Sequence, residues 1–140
     1  MVHVLTSLSP VCILVVSVVG FLFGAVWYSP FLFVKPWMEE AKITPEMWKG
    51  KPGLGPKLMV GTFVLTVIST TTLAALMATH HTSGGLKGAE FGLMVGAGLV
   101  AARHATNALF ELKTLRHYLI VSGFDVALCV LQGAILGAWR

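Results

Sequence analysis

An apolar run at 118–139 is long enough to cross a membrane and carries a carboxyl group near its middle. A bilayer core requires a helix of about 20 mostly apolar residues. Asp125 lies near the centre of this run, where an ionised side chain costs roughly 2.5–3.5 kcal/mol on insertion scales. The carboxyl group therefore needs a partner, a proton or a wet cavity, which the rest of the chain must supply.

Apolar runs predict four membrane spans, at about 10–28, 58–79, 86–110 and 115–138. Apolar residues make up 56% of the chain and charged residues 11%, and the mean hydropathy is +0.81; soluble domains carry about 25% charged residues. We therefore expect an all-α, polytopic membrane protein, with residues 1–140 forming a single bundle of four transmembrane helices. The first run lacks the basic start and the cleavage site of a signal peptide, so we expect it to be a retained span.

The longest connection, residues 29–57, interleaves aromatic residues with lysines. Such a mixture favours a segment that lies on the headgroup layer of the membrane. Tryptophan and tyrosine near the ends of the spans are typical interface anchors. The candidates are Trp27, Tyr28, Trp37, Trp48 and Trp139.

The distribution of basic residues predicts the orientation of the chain. The 29–57 connection holds five lysines, and Arg103, Lys113 and Arg116 fall on the same face, against Lys87 and Arg140 on the other. By the positive-inside rule, both the 29–57 connection and the loop before the fourth span face the cytoplasm. Both termini are then expected on the non-cytoplasmic side.

Glycines spaced four residues apart predict close contacts between helices. Membrane helices associate through small residues and polar bonds, because lipid is as apolar as their side chains. Three spans carry such glycines, which are Gly20 and Gly24, then Gly88, Gly92 and Gly96, and finally Gly133 and Gly137. These contacts could lie within one bundle or between copies of the chain.

Polar residues in the spans define a candidate intramembrane site. In the fourth span, Tyr118, Ser122, Asp125, Cys129 and Gln132 fall on one helix face by their spacing. Near the middle of the second span, Thr66, Ser69 and Thr70 offer hydroxyl groups, which can also bond to their own helix. No lysine or arginine reaches the depth of Asp125, so we expect its carboxyl group to stay largely protonated in a dry environment.

A second polar cluster is predicted near the cytoplasmic end of the third span. Its residues could form a polar site, or they could form a network of polar contacts that only satisfies the end of the helix. They are Arg103, His104, Asn107 and Glu111. We expect no metal or cofactor. A site from His80, His81 and His3 is disfavoured, because adjacent histidines on a helix point in different directions.

Two stretches carry a family resemblance, WYSPFLFVKPWM at 27–38 and NALFELK…GFD…LQGAILGAW at 107–139. Through them the chain resembles the small membrane proteins called domain of unknown function 1761. The resemblance implies a four-helix membrane protein and carries no activity. The residues that it places in family-like motifs are Trp27, Tyr28, Pro30, Trp37, Asn107, Phe110 and Glu111.

Several functions stay open at this stage. Asp125 could line a path for a proton, an ion or a small polar solute, in which case a homo-oligomer would enclose the path; it could instead lock two helices together. We expect a homo-oligomeric membrane protein that acts as such a conduit, with an accessory subunit of a larger membrane complex as the alternative. An enzyme is disfavoured, because intramembrane aspartyl chemistry needs two carboxyl groups in one site. We expect membrane lipid, but not nucleic acid, as a partner, since no recognition motif is present.

Overall fold

The computed structural model describes residues 9–139, and this part of the chain contains helices and turns but no strand. The long helices are α1 (Pro10–Trp27), α3 (Leu54–Thr79), α4 (Gly85–Phe110) and α5 (Leu115–Ala138), and each is long and apolar enough to cross a membrane. A short helix, α2 (Val34–Ala41), and a 3-10 turn (Pro45–Met47) lie between α1 and α3. The expected all-α class with four membrane-spanning helices is confirmed. His3 and Arg140 lie outside the described residues.

Local sequence signals place the helix ends. The Ser9 hydroxyl accepts a hydrogen bond from the backbone N–H of Cys12 (3.3 Å), and Pro10 occupies the first helical position. Helix α3 starts at Leu54, ahead of the span that hydropathy predicts at 58. Pro56 is tolerated there because N–H groups in the first turn have no partner within the helix.

Helices α4 and α5 meet along a seam of glycines. A Cβ atom at Gly88 would lie 2.0 Å from the carbonyl oxygen of Gly133, and one at Gly92 would lie 2.1 Å from the carbonyl oxygen of Cys129. The N–H of Gly84 donates to the carbonyl of Gly137 (2.7 Å) at the end of the seam. Only glycine allows two backbones to approach so closely, so this pair forms a closely packed hairpin.

Helices α1 and α3 cover the opposite side of α5. Their shared core contains Val16, Leu73, Ala74, Met77 and Leu136, all almost fully buried. Between 17% and 33% of the most apolar stretch of each span is buried within the monomer. Most of the span surface is therefore left for lipid or for other protein chains.

The connection between α1 and α3 is tied to the start of α5. The indole Nε1 of Trp27 donates to the carbonyl of Ile120 (3.2 Å). Glu40 accepts from the hydroxyl of Thr114, and Arg116 lies 3.6 Å from Glu39 and 3.7 Å from Glu40. Helix α2 therefore lies over one end of α5.

Candidate functional site

The carboxyl group of Asp125 lies beside an imidazole from the neighbouring helix. Oδ2 of Asp125 and Nδ1 of His104 are 3.3 Å apart, with side-chain exposures of 26% and 36%. The separation is within the range of an ion pair, although Nδ1 makes no aligned hydrogen bond in this geometry. Side chains on a helix lean towards its N-terminus. Because α4 and α5 are antiparallel, the side chains of His104 and Asp125 lean towards each other and can meet although their Cα atoms lie at different heights along the bundle. Asp125 therefore has a titratable partner inside the span.

A π-helical segment at Gly96–Ala101 places His104 opposite α5. In a continuous α-helix, residues seven positions after Gly92 and Gly96 would face α5 as these glycines do. Those residues are Leu99 and Arg103. One extra residue in the π turn shifts this register by one position, a rotation of about 100°. Leu99 and Arg103 are accordingly exposed, whereas His104 turns towards Asp125.

Tyr118 fastens the end of the π-helical segment to α5. Its phenol donates a hydrogen bond to the carbonyl of Ala101 (3.1 Å), and Ala101 is buried. The orientation of His104 is therefore maintained by a contact between helices as well as by the local backbone.

Tyr28 and its aromatic neighbours approach the pair from the other side of α5. The ring of Tyr28 lies between Phe124 and Trp37, with centroids 5.3 Å from each. Burial, and secondly the charge of Asp125, raise the pKa of the Tyr28 phenol to about 12. Tyr28 therefore packs between α5 and helix α2, which carries Trp37.

A polar cleft of about 180 Å³ extends from His104 and Ser122 to the loop between α4 and α5. Three buried atoms in its lining have no hydrogen-bond partner, which are Nδ1 of His104, Nδ1 of His117 and Oγ of Ser122. Most of the predicted cytoplasmic-end cluster lies here, since Asn107 and Glu111 also line the cleft. Arg103 is exposed and is not among the lining residues.

The other members of the predicted intramembrane site form a separate contact. Nε2 of Gln132 donates to Oγ1 of Thr70 (2.8 Å), and Thr70 donates to the carbonyl of Thr66 (2.8 Å). Gln132 and Thr70 are 1% and 0% exposed. A Cβ atom at Gly20 would lie 2.9 Å from Nε2 of Gln132, so α1 closes over this link. Ser69 is exposed on α3 and joins neither group.

A larger cavity of about 500 Å³ lies at the opposite end of the bundle. Ala74 and Leu136 line it, one turn beyond Thr70 and Gln132. Its other lining residues include Ser9, His81, Thr82 and Ser83. His80 packs on the ring of Phe91 (centroids 5.5 Å apart), and no group of three potential ligands in residues 9–139 is arranged to hold a metal ion.

Comparison with protein families gives a match over nearly the whole chain. The model of a family described as a protein of unknown function, DUF1761, matches residues 11–137. The chain belongs to this family. No curated protein and no solved structure matches the chain.

Both stretches that carry the DUF1761 resemblance meet around α5. In the first stretch, Trp27 donates a hydrogen bond to the carbonyl of Ile120, Tyr28 packs on Phe124, and Trp37 packs on Tyr28. The second contributes Asn107 and Glu111 to the cleft, while Phe110 is exposed. Among the predicted interface anchors, Trp48 and Trp139 are exposed, at 42% and 51%. Trp27 and Tyr28 are only partly exposed because their rings pack against the protein.

Sequence reasoning missed His117 and the pairing of His104 with Asp125. His117 lies next to Tyr118, the first residue of the predicted polar stripe, and this adjacency was the available signal. The pairing left no comparable signal, because it depends on a π-helical register and on the packing of two helices.

Proposed function

We propose that this chain carries protons across its membrane past Asp125 and His104. The observation that carries the proposal is the 3.3 Å approach of these side chains, of which His104 also lines a polar cleft. Carboxyl and imidazole groups inside a membrane are typical of proton relays. A carboxyl group and an imidazole can each take up and release a proton, so this pair suits a relay.

The contact between Gln132 and Thr70 favours a proton over a larger solute. It lies between the pair and the opposite cavity, and both side chains are almost fully buried. A solute would need a gap of its own width, whereas a proton can move through hydrogen-bonded groups and single waters. We therefore take this contact as the barrier that must hydrate or separate during each transfer.

The two cavities supply approaches from both sides of this barrier. The cleft beside His104 ends near Lys113, within the basic loop that the positive-inside rule assigns to the cytoplasm. The cavity beyond Gln132 reaches Ser83 and Trp139 at the other end of the bundle. In this orientation the cleft is the cytoplasmic approach and the large cavity is the external one.

The proposal includes a homo-oligomer. Asp125 and His104 keep 26% and 36% of their side-chain surface exposed in the monomer. Direct exposure of a charged pair to lipid is costly, so a neighbouring copy or water must cover this face. Another copy of the chain would enclose the pair without requiring a different subunit.

An accessory role is the alternative, and a different surface favours it. Phe31 and Leu112, in the connections at one end of the bundle, are 93% and 90% exposed, and Phe110 at the end of α4 is 87% exposed. Large apolar side chains at such a position can dock on a larger membrane protein. In that case the purified chain would transport nothing by itself.

Proton flux into liposomes tests the proposal. Purified protein is reconstituted with a pH-sensitive dye inside, and a potassium gradient with valinomycin drives proton entry. We expect the wild-type protein to acidify the lumen, and Asp125→Asn to lose at least about tenfold of that rate because the amide takes up no proton.

Glu46→Gln is the matched control, since it removes an exposed carboxylate from the 3-10 turn outside the spans. It should keep the wild-type rate. Equal flux through Asp125→Asn, or no flux above empty liposomes for the wild-type protein, would refute the proposed path; the second result would favour the accessory role.

A further inference from the structure

The buried side-chain atoms without a hydrogen-bond partner are concentrated in the cleft beside His104. Of four such atoms in residues 9–139, three belong to residues that line the cleft, which are His104, His117 and Ser122. Ser122 is only 3% exposed. An unpaired buried polar group costs about 1–3 kcal/mol, and ordered water often supplies the missing bond. These atoms therefore favour water inside the cleft.

The charges around the cleft also favour water over an ion. Glu111 and Lys113 are both exposed in the loop between α4 and α5, and both line the cleft. Because their charges are opposite and lie at the same end, they attract neither a cation nor an anion selectively. The cleft has a volume of about 180 Å³, and one water takes up roughly 30 Å³ of the liquid. A few waters therefore fit in it together.

The unpaired atoms are spaced so that short water bridges can join them. Ser122 lies five residues after His117 on α5, which is a rise of about 7.5 Å. About two waters with hydrogen bonds of roughly 2.8 Å span that distance. Asp125 is not among the lining residues, but its Oδ2 atom lies 3.3 Å from Nδ1 of His104, which is. A water bridge that reaches His104 therefore reaches the pair.

The side chain of His117 lies at the boundary between the cleft and solvent. Its Nδ1 atom is buried, whereas the residue as a whole is partly exposed, in the first turn of α5. The cap of this turn uses the backbone N–H of His117, which donates to the hydroxyl of Thr114 (3.1 Å). The ring is therefore not needed for the cap. An imidazole can accept a proton on one nitrogen and release a proton from the other.

We infer that His117 is the residue through which protons enter the cleft, and that waters and the Ser122 hydroxyl carry them on to His104. A proton from bulk water binds the outer ring nitrogen of His117, and the resulting imidazolium releases the proton of its buried Nδ1 to a water in the cleft. Rotation of the ring restores the starting tautomer, so one proton is gained and one is given up. The inference rests on the proposed function and goes beyond it by naming the entry residue.

The proton current of His117→Ala in a planar bilayer tests the inference. We expect at most about a tenth of the wild-type current at equal voltage and pH difference, because positioned acid–base groups speed proton transfer by about 10²–10⁴-fold. The fold should survive, since the buried Nδ1 makes no hydrogen bond. His80→Ala is the matched control, because His80 packs on Phe91 at the other end of the bundle and lines neither cavity. It should keep the wild-type current.

Imidazole, added at equal concentration on both sides of the bilayer, separates a relay role from a structural one. A free imidazole can enter the space left by the His117 side chain and carry the proton in its place. We expect imidazole to raise the current of His117→Ala at least about threefold. It should leave the currents of the wild-type protein and of Asp125→Asn unchanged, since the first keeps its own relay and the second lacks the path.

Reaction of Ser122→Cys with a small, charged methanethiosulfonate measures water in the cleft without any transport. The two native cysteines, Cys12 and Cys129, are first replaced by alanine, and the reagent attacks the thiolate form, which requires contact with water. Ser17→Cys is the matched control, because Ser17 is also fully buried but does not line the cleft. We expect Ser122→Cys to react at least about tenfold faster than this control.

The inference and the proposed function fail by different results. A wild-type current that persists in His117→Ala would overturn the entry role and leave the path past Asp125 standing. A lost current that imidazole does not raise would reduce His117 to a structural role and would also overturn the inference. Equal reaction of Ser122→Cys and Ser17→Cys would exclude the water bridge. No current from the wild-type protein would remove the proposed path, and the entry role with it.

Discussion

At the scale of residues, the chemistry of the fourth span depends on which side chain lies next to the carboxyl group of Asp125. The sequence predicts a carboxyl group that needs a proton, water or a hydrogen bond, and it offers the hydroxyls of α3 as neighbours. Gln132 instead bonds to Thr70, and Asp125 lies beside His104. Helix periodicity could predict that the polar residues of α5 lie on one face of the helix. It could not predict which neighbouring helix each of these residues contacts.

Tyr28 gives a pH-dependent prediction at this scale. Burial, followed by the charge of Asp125, raises the pKa of its phenol from the ordinary 10.0 to about 12. The protein is stabilised by the neutral phenol below pH 10, and this stabilisation is lost as the pH rises from 10 towards 12. We expect phenolate absorbance from Tyr28 to be half developed near pH 12.

Difference spectra between the wild-type protein and Tyr28→Phe isolate this signal from that of Tyr118, the other tyrosine of the chain. In an Asp125→Asn background the midpoint should fall, since one of the two causes is removed. Ionisation of Tyr28 at an ordinary pH of about 10 would contradict its burial between Phe124 and Trp37.

At the scale of elements, the glycine seam makes α4 and α5 one unit. The spacing of Gly88, Gly92 and Gly96 predicts close helix packing from sequence alone, but it does not predict which helix packs against α4. The π-helical segment at Gly96–Ala101 was not predictable, because no residue in GAGLVA requires it locally. It is stabilised by tertiary packing, including the bond from Tyr118 to Ala101.

Alanine at Gly92 should separate the two helices. Its Cβ atom would lie 2.1 Å from the carbonyl oxygen of Cys129, so a backbone must move. We expect Gly92→Ala to lower the free energy of unfolding by about 1–3 kcal/mol or more, as overpacking does, measured by denaturant titration in detergent micelles. Proton flux should fall as well, since Cys129 is one turn from Asp125.

Gly61→Ala is the control for this substitution. Gly61 lies within α3 and an added Cβ atom there would meet no other heavy atom within 4 Å. Alanine is the better helix former by about 1 kcal/mol, so stability should be unchanged or slightly higher. Equal losses in the two variants would show that the seam is not what holds α4 against α5.

At the scale of the whole molecule, the apolar helices of the described residues leave a pocket towards each end of α5, and the buried contact of Gln132 with Thr70 lies between these two pockets along the helix. The number and order of the spans follow from hydropathy, because a membrane helix must satisfy its backbone internally along its full length. The cavities do not follow from hydropathy. The large cavity depends on how α1 and α3 pack against α5, to which side chains such as Gln132 and Thr70 from distant parts of the chain contribute, and the cleft depends on how α4 packs against α5.

The central claim is that the purified chain conducts protons, and the reversal potential in a planar bilayer tests it most directly. Protein alone is reconstituted, with a pH difference and a separate, opposing potassium gradient across the bilayer. We predict a current whose reversal potential follows the pH difference, by about 59 mV for each pH unit. A reversal potential that follows potassium, or no current above that of lipid alone, would contradict the account.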